Sequence, residues 1–313
     1  MPKPHLYLLA ALLAALGISH FSDRIDPYHL DVLTGIGINI ILAVSLNLVN
    51  GYTGQFSLGH AGFMSVGAYL AAAVSLFLGP KLLGAEGGTA LQQGGMFLAA
   101  LVAGGLGAAF AGLVVGVPSL RLKGDYLALV TLGFGEIIRV IFQNVEFLGG
   151  ALGLNGIPAY TTIFWVLAFV ALSVFVVSCL VNSTYGRGFL ATHDDEIASE
   201  AVGLNTTHYK IVAFVIGAFF AGTAGGLYGH FKMTITPTGF DFTKSVEIVV
   251  MVIMGGMGNT LGVVLAAILL TLLPELLRPI AEYRMIIYSL LLIILMLVRP
   301  QGLFNFKLGK AKT

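Results

Sequence analysis

Ten apolar runs, separated by short polar stretches, dictate what this chain can fold into. They cover residues 6–21, 32–50, 56–78, 95–117, 126–143, 161–181, 209–230, 246–257, 261–277 and 284–298. A helix needs about 20 apolar residues to cross about 30 Å of hydrocarbon, and several runs reach that length. Charged residues make up 10% of the 313 and hydrophobic ones 57%, whereas a soluble domain carries about 25% charged residues. The mean hydropathy is +0.94. An ordinary soluble enzyme and a disordered chain are both excluded. The expectation is an all-α polytopic membrane bundle of eight to ten spans, with residues 1–313 forming one transmembrane domain.

The 41 glycines suit helices whose backbones approach closely. The pairs Gly112–Gly116, Gly222–Gly226, Gly225–Gly229 and Gly258–Gly262 are read as intrachain packing faces. Runs 56–78 and 246–277 hold enough glycine to be broken or re-entrant, which lipid tolerates only where protein or water covers the backbone. Run 6–21 follows Lys3 and lacks a small-x-small cleavage site, so it reads as a retained span rather than a signal peptide.

Lysine and arginine set the orientation. With ten crossings and a cytoplasmic start, nine cations (Lys3, Arg121, Lys123, Arg187, Lys210, Arg299, Lys307, Lys310, Lys312) fall inside and six (Arg24, Lys81, Lys232, Lys244, Arg278, Arg284) outside. Both termini, including the tail 299–313, are expected in the cytoplasm. The net charge of +1 gives no basic stripe for nucleic acid. The single Cys179 forms no intrachain disulfide, and no Cys/His cluster offers a metal site. No phosphate-binding G-x-x-x-x-G-K-[ST] loop, G-x-S-x-G elbow or H-E-x-x-H motif occurs, so no catalytic residue is assigned.

The longest polar stretch, residues 185–205, is expected on the cytoplasmic side. It reads as one short helix with Thr192 as N-cap, Asp194, Asp195 and Glu196 near its start, and Gly203 as its exit. Ile197, Ala198, Ala201 and Val202 fall on one small apolar face, a shape suited to docking in a partner's groove. Within the spans, Glu136 and Arg139 lie three apart and share a face; they read as a structural pair near the outer interface or as groups with a role in substrate passage or gating. Asn47, Ser57, His60 and Thr131 sit in or beside glycine-broken segments. They either bond neighbouring helices or line a pathway, where half-helix N–H groups can hold a carboxylate.

The segment Gly188-Phe-Leu-Ala-Thr-His-Asp-Asp-Glu-Ile-Ala-Ser-Glu-Ala-Val-Gly-Leu-Asn205 is similar to the cytoplasmic loop of permeases for branched-chain amino acids. Gly51-Tyr-Thr-Gly-Gln-Phe-Ser-Leu-Gly-His-Ala-Gly62, Leu122-Lys-Gly-Asp-Tyr-Leu-Ala128, Thr131-Leu-Gly-Phe-Gly-Glu136, Gly255-Gly-Met-Gly258, Pro274-Glu-Leu-Leu277 and Arg299-Pro-Gln-Gly-Leu303 agree. Together, over residues 35 to 304, they resemble the LivM-type permease subunit of ABC importers. The run Gly149-Gly-Ala-Leu-Gly-Leu-Asn-Gly156 is longer than the family's usual Gly-Gly-x-x-Gly and puts Asn155 in a loop that can touch substrate.

The resemblance implies one passive half of an ATP-driven importer in the bacterial inner membrane. A second, LivH-type permease would complete the pathway, a soluble binding protein would deliver substrate, and two ATPase subunits would bind ATP and Mg. The chain itself would need no cofactor. The coupling contact would involve Arg187, Asp194, Asp195, Glu196, Glu200, Ala201 and Gly203. The pathway candidates are Asn47, Ser57, His60, Thr131, Glu136 and Asn155. The cargo implied is a branched-chain or other hydrophobic amino acid; urea, amides and other amino acids use similar permeases. A self-sufficient transporter or channel would have no use for the 185–205 knob.

Overall fold

The computed structural model describes residues 4–21, 24–83, 88–119, 122, 124–278, 283–298 and 302–303. Lys3, Arg121, Lys123, Arg299, Lys307, Lys310 and Lys312 lie outside the described residues, as does the tail 299–313 apart from Gly302 and Leu303.

Each apolar run falls on a helix. The helices are α1 (Pro4–His20), α2 (Pro27–Asn47), α3 (His60–Ala73), a short α4 (Gly79–Leu83), α5 (Ala90–Ser119), α6 (Asp125–Asn144) and α7 (Ile163–Val181). After α8 (Thr184–Asp194) and α9 (Glu196–Ala201) come α10 (Thr206–Lys232), α11 (Phe242–Gly255), α12 (Thr260–Leu276) and α13 (Arg284–Val298). Six helical stretches among the described residues are long and apolar enough to cross a membrane: Pro27–Tyr52, His60–Lys81, Ala90–Ser119, Tyr126–Asn144, Ile163–Val181 and Thr206–Lys232. The remaining apolar runs form the shorter helices α1, α11, α12 and α13.

Helix α2 is the axis of the bundle. Asp26 caps it through the Tyr28 amide, and Pro27 opens it where no amide donor is needed. Every residue from 36 to 51 is buried, the pattern of a helix enclosed on all sides. A π-helical turn, Leu48–Tyr52, ends it.

Three glycines explain how α3, α5 and α10 pack against one another. A Cβ on Gly67 of α3 would collide with the Gly222 backbone of α10, and one on Gly104 of α5 would lie 2.6 Å from the Gly67 carbonyl oxygen. One on Gly225 would strike the Met64 carbonyl. With no water-driven force between spans, such close approach and its dispersion energy hold helices together. Gly112, Gly222, Gly225, Gly226 and Gly229 thus pack within the chain as expected. Gly258–Gly262 does not form a helix-face pair: Gly258 lies in the turn between α11 and α12, with φ +79°.

Both glycine-rich runs are broken. Residues 53–59 are non-helical, so the third span starts at His60 rather than at 56. Gly256, with φ +91°, ends α11, and Asn259 caps α12 by accepting from the Gly262 amide (3.2 Å).

One face of the bundle gathers the end of α2, the α8–α9 pair and the α11–α12 turn. There the Gly258 amide donates to Asn47 Oδ1 (2.9 Å), and Gly54 lies against His193. His5 lies against the Phe175 ring, in the half of α7 that leads to α8, and the Leu303 amide donates to the Met254 carbonyl (2.7 Å). The start of α1 and Leu303 are therefore at this same face. The opposite face carries a two-stranded antiparallel ribbon, β1 (Leu154–Asn155) with β2 (Thr234–Ile235), and the Asp31–Lys232 ion pair.

Candidate functional site

The 185–205 stretch forms two helices instead of one. Ser183 caps α8 through the Gly186 amide, earlier than expected. Thr192 is inside α8, its hydroxyl donating to the Gly188 carbonyl (2.8 Å), the usual back-bond of a helix interior. The chain breaks at Asp195 (φ −157°, ψ 109°), whose carboxylate accepts from the Ala198 amide (3.0 Å) and caps α9. Gly203, with φ +88°, provides the exit, as read from the sequence.

The pair is fastened to the bundle by polar groups. Glu196 pairs with the buried Lys210 of α10 (2.7 Å), and Glu200 accepts from the Thr206 hydroxyl (2.7 Å). Ser199 donates to the Ala191 carbonyl (2.8 Å), folding α9 back on α8. Beneath α8, Tyr185, Phe189 and Tyr209 form an aromatic cluster with centroids 4.7 to 5.9 Å apart, and a Cβ on Gly188 would strike the Tyr209 ring. Burial, and then the neighbouring Tyr209, push the Tyr185 phenol above its usual pKa. Sequence reasoning missed the anchoring roles of Lys210, Ser199 and Tyr209. Lys210 and Glu196 belong to different helices, so no spacing along one helix relates them.

The outward face is apolar. Ile197 is 73% and Val202 78% exposed, with Ala198 and Ala201 exposed between them. Arg187, Asp194 and Asp195 are also exposed.

Four of the six pathway candidates gather at the break that precedes α3. Asn47 Oδ1 accepts from the Gly258 amide. Asn50 accepts from the Ser57 amide (3.2 Å), and the Leu58 amide donates to Thr131 Oγ1 (3.1 Å). His60 Nε2 lies 2.9 Å from Ser45 Oγ, and the Ala61 amide donates to Ser245 Oγ (3.2 Å). These N–H groups at the start of α3 are thus bonded within the bundle. Glu136, farther along α6, accepts from Arg139 Nε (2.7 Å) and lines a small recess with Leu58, Gly62 and Ser245. Asn155 is at the far face, where it pairs with Thr234 and accepts from its hydroxyl (2.6 Å). A cavity of about 760 Å³ forms an apolar groove between α1 and α7; its lining lacks the charged groups that would orient an amino acid.

Residues 28–298 match the family described as branched-chain amino acid transport system / permease component. The chain belongs to this family. The permease is 35% identical to the high-affinity branched-chain amino acid transport system permease protein LivM of Salmonella typhimurium, covering 99% of this chain and 79% of that one. It is 36% identical to LivM of Escherichia coli K12, covering 96% and 75%. It is also 22% identical to the permease protein LivH of the same strain, covering 85% and 90%.

Proposed function

We propose that this permease is one membrane half of an ATP-driven importer for branched-chain aliphatic amino acids, and that α8 and α9 dock in the groove of a separate ATPase. The exposed apolar face of α9 carries the reading. Four small or aliphatic side chains stand in solvent on a helix that an ion pair and three hydrogen-bonded anchors hold in place. Exposing such a face costs free energy unless a partner covers it.

The same geometry supplies a transmission. His193 of α8 rests on Gly54, and Gly54 belongs to the break that leads into α3. Movement of the docked pair would reach the centre of the bundle through this contact, as alternating access requires. On this reading the chain acts as a single transmembrane domain, and the face bearing α8 and α9 is cytoplasmic, with both termini. A LivH-type permease completes the pathway, a soluble binding protein delivers cargo, and the ATPases hold ATP and Mg.

The test is uptake of labelled leucine into vesicles holding the complete complex. Uptake should require ATP, the binding protein and both permeases. Leucine movement by this chain alone, without nucleotide, would overturn the proposal.

A further inference from the structure

A recess of about 120 Å³ opens at the face opposite α8 and α9, between α2, α3, α10 and α11. At ~30 Å³ per water it has room for about four waters, the scale of a branched aliphatic side chain, and it is open outward, so the charged end of an amino acid can lie in its mouth. Its floor is apolar: Ile38 and Met64 are buried, and Tyr228 closes one side. Its walls are charged. Lys244 Nζ donates to Glu247 (2.9 Å) and to Asn39 Oδ1 (3.3 Å), while Asn39 Nδ2 donates to Thr271 Oγ1 (3.0 Å). At the rim Lys232 pairs with Asp31 (3.0 Å).

The depth of these charges is informative. Asn39 is twelve residues into α2, about 18 Å from its start at ~1.5 Å per residue. Lys244 therefore reaches toward the middle of a span. An ionisable group there is costly and marks a functional position. An anion site would have no use for Asp31, and a cation site none for Lys232 and Lys244. A wall with both charges over an apolar floor matches a zwitterion with an aliphatic side chain.

We propose that this recess is an intramembrane binding site for an aliphatic amino acid, with Lys244 receiving the carboxylate, Asp31 the ammonium group, and Ile38 and Met64 the side chain. The inference rests on the transport reading above and assigns the place where cargo enters the permease.

Saturation-transfer NMR on the full chain in nanodiscs tests it directly, with leucine, 4-methylpentanoate (carboxylate only) and isoamylamine (amine only) as probes. Leucine should bind, and each single-charge probe about tenfold more weakly, the scale of one charge-assisted hydrogen bond. Lys244→Met should abolish the preference for leucine over isoamylamine, and Asp31→Asn the preference over 4-methylpentanoate. Met64→Trp, which fills the floor, should remove leucine binding; Met64→Leu should retain it and controls for misfolding. Equal binding of all three probes, or leucine binding untouched by Met64→Trp, overturns the site. Leucine binding without ATP-driven uptake in the complete complex overturns the transport reading alone.

Discussion

The centre of the bundle and the α8–α9 pair invert the usual placement of polar and apolar groups. In the centre, Asn47, Ser57, His60 and Thr131 are buried and bonded to neighbouring segments. On α9 and at the residue that ends it, Ile197 and Val202 stand in solvent. A buried polar group with a partner fixes packing, because leaving it unpaired in low dielectric is expensive. An exposed apolar face on a rigid helix marks a surface meant to be covered. On the proposed reading, the contrast separates residues that build the permease from residues that would connect it to a partner.

The strongest way to break the comparison is at the glycine contacts. Gly67→Leu forces a side chain into the Gly222 backbone and should destabilise the chain by more than about 3 kcal/mol. The purified yield and melting temperature should collapse; a wild-type melting temperature would mean that these helices do not pack as described. A milder effect is expected at Glu196→Gln, which removes the charge beside buried Lys210. It should cost about 1–3 kcal/mol, seen as faster proteolysis within 195–205 while the spans stay protected. The smallest effect is at Tyr185. Because burial holds its phenol above the usual value near 10, its contribution to stability is intact below about pH 10 and falls as pH rises further. Tyr185→Phe should lessen the alkaline loss of melting temperature and remove one late-titrating phenol from the ultraviolet absorbance curve.

Much of this was legible in the residues. The apolar runs located each long helix, because the hydrocarbon thickness fixes their length. Glycine density located both breaks, and Ile197, Ala198, Ala201 and Val202 were recognisable as one exposed face. The division of 185–205 into two helices was not, since Ser183 and Asp195 are as good N-caps as Thr192 and only packing chooses among them. Nor was the Lys244–Asn39 contact, which joins positions 205 residues apart through tertiary packing alone.

The docking claim is tested most directly by Ile197→Asp combined with Val202→Asp in the reconstituted importer. Both positions are exposed, so the melting temperature should stay at the wild-type value. Transport-coupled ATP hydrolysis should fall by about tenfold or more, as when the apolar centre of an interface is lost. Coupled hydrolysis at the wild-type rate would contradict the account.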